Sequence, residues 1–213
     1  NSFLATKISF INQISSLCQS IPGTNIDEVA KGIGVDPRIG RLFLNAGPGY
    51  GGSCLPKDMK ALISFADKIG INPILLNAVE KTNQKQIQNI VSLMEKTLDT
   101  LASKRITVLG TAFKPNTDDV RDSIAIELIK KLLKKKSKVT IYDPKAMKNT
   151  RNIFGEKIIY AGSIIDALNK SQCAILMTHW KQFERFNNNS MKHMSKKFII
   201  DCRRILVEKE LQA

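Results

Sequence analysis

The 213-residue chain has 43% hydrophobic residues and 33 lysines and arginines against 19 aspartates and glutamates, a net charge of +14. Such a length supports a true core in one or two domains. No apolar run reaches the roughly 18–20 residues of a membrane span, no secretory leader is readable, and the four cysteines show neither metal-ligand nor small-domain disulfide spacing.

Phe3, Leu4, Ile8, Ile11, Leu17, Cys18 and Ile21 recur at three- and four-residue steps, which predicts a helix over 1–20. Phe10 and Ile14 broaden its apolar stripe, so more than one face should be covered. Pro22 and Gly23 stop it. Thr24 or Asn25 then caps a second helix with Asp27 and Glu28 in its first turn, ended by Gly32 and Gly34. DPRIG at 36–40 is a turn, where Arg38 and Arg41 present anion-binding forks. A third helix is predicted over 57–68, ended by Gly70, and a longer one over 74–100 opened by Pro73.

The pattern changes at Lys104. Short apolar, β-branched runs at 106–109, 139–142, 157–160, 173–177 and 198–201 alternate with helical or loop segments, clearest over 124–133. This alternation argues for a parallel sheet covered on both faces. Ligands of such sheets gather at the carboxyl ends of the strands, here 111–114, 143–144, 178–180 and 202–204. The expected fold is α/β, with a helical domain over 1–103 and a Rossmann-like parallel-sheet domain over 104–213. GTAFKP after the first strand is not GxGxxG, and that fingerprint occurs nowhere in the chain. Residues 1–103 carry a net +2 and the remainder +12. Much of that excess lies in KKLLKKKSK at 130–138, read as the solvated face and end of one helix. With no interleaving of basic and aromatic residues, a nucleic-acid binder ranks last.

Between the helices lies 47–58, GPGYGGSCLPKD. Four glycines, two prolines and a tyrosine suit neither a core strand nor a core helix, and the glycines allow close approach to a ligand. Pro56 fits the first turn of a helix. Cys54 therefore precedes a helix N-terminus, where free amides and the macrodipole favour an anion. Lys57 adds a cation, which favours a thiolate. Asp58 follows four residues on, on the same helical face. Glycine cradle, thiol and carboxylate outline a covalent active site; the competing reading is a small buried cysteine. His179 and His193 lie near no cysteine or serine motif, and Trp180 is read as packing.

The run FLNAGPGYGGSCLPKD resembles the active-site motif of the UDP-glucose 6-dehydrogenases, in the UDP-glucose/GDP-mannose dehydrogenase family. NSFLATKISFIN is similar to that family's central helix, and DPRIG, FKPNTDDVRDS at 113–123, IYDP at 141–144 and DCRR at 201–204 follow in the family's order. The resemblance spans essentially the whole chain. It implies an NAD-dependent, two-step oxidation of UDP-glucose to UDP-glucuronate through a cysteine thiohemiacetal and thioester. It also implies an N-terminal Rossmann domain that this chain lacks; the chain begins at Asn inside a helical pattern and reads as part of something longer.

By the same resemblance Cys54 is the nucleophile, Asp58 orients or deprotonates water, and Asn1 helps to hold the water or oxyanion. The lysine that customarily stands one turn before Asn1 is absent. The backbone at Tyr50, Gly51 and Ser53 would cradle the sugar or its phosphates, Phe113 and Lys114 would face the diphosphate, and Arg203 would lie near the nucleotide. Arg38 matches an arginine that reaches a neighbouring subunit's site, which implies a homodimer through the helical domain. Arg121 and Lys57 match the NAD side. GGSC followed by PKD favours UDP-glucose over acetamido sugars, and GDP-mannose is less well excluded. The expected setting is cytoplasmic, with no metal, nucleic-acid or membrane partner. The alternative is a catalytically inactive fragment that binds a nucleotide sugar or dimerises, and the isolated chain is expected to make no NADH.

Overall fold

The computed structural model describes residues 1–206 and divides into two compact units, Asn1–Gln88 and a second from Asn89 onward. The first is helical: α1 (Ser2–Cys18), α2 (Ile26–Val35), α3 (Leu55–Lys68) and most of α4 (Ile74–Leu98), which runs on into the second unit. α1, α3 and α4 lie within two residues of the predicted spans at every end, α2 being predicted without explicit bounds. Of the two proposed caps for α2, Asn25 is the one used, its side chain accepting the Asp27 N–H at 2.9 Å.

Two small apolar clusters hold the helices. Ala5, Tyr50, Met59 and Val79 form one, and Ile11, Ile26, Ala30 and Leu44 the other. α1 contributes to both, through Ala5 and Ile11. Its broad stripe therefore meets two neighbours, α2 and α3, as its sequence requires.

The second unit carries five parallel strands: β1 (Arg105–Leu109), β2 (Lys138–Tyr142), β3 (Ile159–Tyr160), β4 (Cys173–Leu176) and β5 (Ile199–Asp201), in the order β3-β2-β1-β4-β5. All five match the predicted runs, β1 and β2 each starting one residue earlier. β3 is shorter than expected, because Gly155–Lys157 spends its residues on a 3-10 turn that only glycine enters easily, Gly155 having φ +53°. The strands are linked by α5 (Ile124–Lys134), α6 (Met147–Phe154), α7 (Ile164–Leu168) and α8 (Asn188–Met191).

β4 is buried at all four positions and β1 at four of five, the near-continuous apolar pattern of a sheet covered on both sides. α5 buries Ala125, Ile126, Leu128, Ile129 and Leu132 and turns its lysines outward. On the face opposite α5, Leu109, Ala174 and Leu176 pack with Ala167, Leu168, Phe183 and Met191. Strand order reverses between β1 and β4, which puts the ligand crevice of such a sheet beyond Leu109 and Leu176. Among the described residues, no helix is long and apolar enough to cross a membrane.

Candidate active site

In the helical unit, Cys54 is the residue before α3 and is exposed; its thiol makes no cap hydrogen bond and lies 3.7 Å from Ser53 Oγ. Leu55 and Pro56 form the first turn, so Pro56 removes an amide that had no helical acceptor. The Asp58 N–H donates to the Cys54 carbonyl at 3.0 Å, which stacks carboxylate and cysteine one turn apart.

Asn1 precedes α1 yet makes no cap there. Its Nδ2 donates instead to Asp58 Oδ2, joining two positions 57 residues apart. Lys57 Nζ stands 3.4 Å from the other Asp58 oxygen. The Asn1 amide foremost, and then Lys57, hold the Asp58 carboxyl below its ordinary range. Asn1, Cys54, Lys57 and Asp58 are thus gathered in one place.

The loop behind this group is clamped by residues that sequence reading did not single out. Asn83 of α4 accepts the Tyr50 N–H at 2.8 Å and donates to the Tyr50 carbonyl at 3.0 Å. The Tyr50 hydroxyl donates to Glu80 at 2.9 Å, and burial, with Glu80, pushes this phenol well above its ordinary range. Asn12 of α1 accepts the Gly47 N–H at 2.8 Å. Gly49 and Gly52, at φ +117° and +86°, take the turns between these anchors, a region in which side chains are strained.

One expectation changes as a result. The Tyr50 amide is spent on Asn83 and cannot cradle a ligand, so Tyr50 is the loop's anchor. The amides of Gly51, Gly52 and Ser53 donate to no other group among the described residues.

Arg38 does not join the cysteine group. Its guanidinium grips Asp36 of its own turn, with Nη2 to Oδ2 at 2.6 Å, although the side chain is 87% exposed. Lys7 of α1 steadies that turn by donating to the Ile39 and Gly40 carbonyls.

In the sheet unit, the remaining expected residues lie at carboxyl ends of strands. Phe113 and Lys114 follow β1, with Lys114 Nζ 5.4 Å from the Phe113 ring centre. Arg203 follows β5; it is half-buried, and its Nε donates to the Met177 carbonyl at 2.6 Å. Arg121 instead closes its fork on Asp119, as Arg38 does on Asp36.

Three D-x-R tripeptides therefore start alike, each arginine amide donating to its aspartate Oδ1 at 2.9 Å. Only in the third does the guanidinium turn away. There, Asp201 Oδ2 is already taken by the Ile205 and Leu206 amides at 2.7 and 2.9 Å.

The strand ends are laced together. Gly110, at φ +89°, lies so close to Thr178 that a Cβ would meet it at 2.5 Å, and Thr178 Oγ1 donates to the Ala112 carbonyl at 2.6 Å. Asp143, buried after β2, accepts from the amides of Thr111, Ala112, Lys145 and Ala146 and from the Trp180 indole. Where a dinucleotide sheet offers a free carboxylate to a ribose, this one is saturated by five donors. Together with the missing glycine fingerprint, that makes the sheet unit a poor fit for NAD. Trp180 is buried and hydrogen-bonded to Asp143, as packing requires.

Family models match both units: the UDP-glucose/GDP-mannose dehydrogenase family central domain over residues 1–85, and the same family's UDP-binding domain over 107–208. The chain is 43% identical to a UDP-glucose 6-dehydrogenase of Rickettsia bellii, covering all of this chain and 50% of that protein. It is 40% identical to the UDP-glucose 6-dehydrogenase TuaD of Bacillus subtilis, covering all of this chain and 46% of that one. A solved UDP-glucose dehydrogenase from Pyrobaculum islandicum superposes with a TM-score of 0.90 at 36% identity, over 96% of this chain and 46% of that structure. The chain thus spans about half the length of the curated relatives it matches. With both its units matched in order and its fold shared, the chain belongs to the UDP-glucose/GDP-mannose dehydrogenase family.

Proposed function

We propose that this chain supplies the thiol and the sugar-nucleotide contacts of an NAD-dependent UDP-glucose 6-dehydrogenase. The observation that carries the reading is the exposed Cys54 before α3, with Asp58 one turn on and Asn1 bound to it. The Cys54 thiolate adds to the carbon of an aldehyde-level sugar and retains it as a thiohemiacetal. Loss of a hydride from that carbon gives a thioester, which water opens to the carboxylate, returning the thiol. Asp58, kept ionised by Asn1 and Lys57, orients or deprotonates that water. The amides of Gly51 to Ser53 receive the sugar oxygen or a phosphate.

NAD⁺ is the hydride acceptor in this scheme. Lys57 and Arg121 are the cations of this chain that would face it, and the chain's own residues do the trapping, holding and water activation. Phe113, Lys114 and Arg203 receive the nucleotide diphosphate. The helical unit pairs with a second copy, Arg38 reaching towards the partner's site. That pairing is supported by Phe3, Leu42 and Ile74, which lie 74%, 77% and 72% exposed on the helical unit.

The test is alkylation of Cys54 by iodoacetamide, followed by mass spectrometry, with and without UDP-glucose or GDP-mannose. Selective protection of Cys54 by UDP-glucose is expected. Protection by GDP-mannose alone would reassign the sugar nucleotide, and protection by neither would remove the substrate-site reading.

A further inference from the structure

At the pole of the sheet opposite the ligand crevice, the turns that lead into the strands carry lysine after lysine. Hydrogen bonds show that these turns adjoin. The Lys138 amide donates to the Lys104 carbonyl at 2.8 Å, tying the start of β2 to that of β1. The Gln172 amide donates to the Arg105 carbonyl at 2.9 Å, joining the start of β4. The Lys170 amide donates to the His193 carbonyl at 2.7 Å, and Lys196 Nζ to the Thr97 carbonyl at 2.8 Å, bringing in the approach to β5 and the end of α4.

Lys134 ends α5 on one face of the sheet, while Lys170 and Lys192 follow α7 and α8 on the other. Lys134, Lys138, Lys170, Lys192 and Lys197 are exposed and Lys104 is half-buried. Among the described residues, the carboxylates nearby are few. Glu95 pairs with Lys135 at 2.6 Å, Glu156 pairs with Arg151 at 3.1 Å, and Asp99 is exposed.

We infer that this pole is a docking face for an anionic phospholipid bilayer. The cations spread in two dimensions, across strand ends about 4.8 Å apart and the helix layers on both sides of them. A planar surface engages such an array more fully than a rod of phosphates does. Lysine dominates, with Arg105 the exception, and lysine binds as a hydrated point charge without the bidentate fork used in base readout. Phe198, which follows Lys196 and Lys197, is half-buried and not offered as a ring that would stack on bases. The negative potential of an anionic leaflet acts on each such lysine, and the attractions add. The absence of a long apolar helix bears on spanning a bilayer and leaves docking on its surface open.

The experiment is co-sedimentation of the purified protein with phosphatidylserine–phosphatidylcholine vesicles and with phosphatidylcholine vesicles, at low and raised salt, with short duplex DNA as a parallel ligand. Binding to the anionic vesicles alone, weakened by salt, is expected. A variant combining Lys134→Gln, Lys138→Gln, Lys192→Gln and Lys197→Gln should bind about tenfold or more weakly. A charge-matched variant in the helical unit, Lys31→Gln, Lys68→Gln, Lys81→Gln and Lys85→Gln, should bind nearly as the parent does. Circular dichroism and thermal melting confirm that both variants are folded. No binding to anionic vesicles, tighter binding to DNA than to vesicles, or equal loss in the two variants would each overturn the proposal.

Discussion

Of the eighteen large hydrophobic side chains left exposed among the described residues, fourteen belong to the helical unit, from Phe3 to Leu75, and four to the sheet unit. The sheet unit closes its own core: strands apolar on both faces are roofed by crossover helices, and its surplus is charge. The helical unit has two clusters of four buried residues each, and the outer faces of α1 and α3 keep Phe3, Phe10, Leu62 and Phe65 in the open. The sheet unit thus closes its own core, and the helical unit leaves open the surface through which we propose that it pairs.

The hardest blow to that contrast is charge on the helical surface. If the helical unit pairs as proposed, Leu42→Asp, Phe65→Asp and Ile74→Asp together should leave a monomer by sedimentation, because burying each such side chain is worth about 1.5–3 kcal/mol. A chain that is monomeric before the change would break the comparison outright. In the self-contained unit the expected weak point is a crossing of backbones. Gly110→Val forces a Cβ within 2.5 Å of Thr178 at a positive φ and should cost about 3 kcal/mol in urea unfolding. Gly40→Ala, also at positive φ but with open space around it, should cost about 1 kcal/mol.

Asn83→Ala sharpens the picture of the loop. It leaves the Tyr50 amide and carbonyl without their buried partner, at about 2 kcal/mol, and should speed hydrogen exchange across 47–53 while the sheet unit stays protected. The smallest effect concerns protons. A carboxylate whose folded pKa lies below its unfolded value adds stability above the unfolded pKa and loses it as pH falls through the folded one. Asn1→Ala should move the Asp58 pKa up towards its ordinary value in a carbon-13 carboxyl titration, and the acid end of the stability profile should flatten slightly.

Strand positions, helix ends and the cysteine loop were legible because hydrophobic period and turn chemistry are local. The clamp on the loop was not. Asn12 and Asn83 lie 35 and 33 residues from their partners and sit on helices where an asparagine reads as solvated. The resemblance implied that the Tyr50 backbone faces a ligand, but its amide and carbonyl are held by Asn83 and its hydroxyl by the half-buried Glu80. Asp143 was visible only as part of IYDP; nothing local announces that four amides and an indole converge on it. The arginines fared unevenly for a similar reason, since a sequence shows a cation and not which carboxylate claims it first.

The three D-x-R tripeptides put that competition on a common footing. Each aspartate has one oxygen committed to the arginine amide, so the fate of the fork depends on who reaches the other oxygen. At Asp201 two downstream amides have arrived, and the guanidinium of Arg203 is displaced towards the mouth of the sheet. Whether that arginine is offered to a ligand or folded away is thus governed by two residues that carry no charge, Ile205 and Leu206. A proline at 205, which lacks the amide, would vacate half of that oxygen and let the fork swing home.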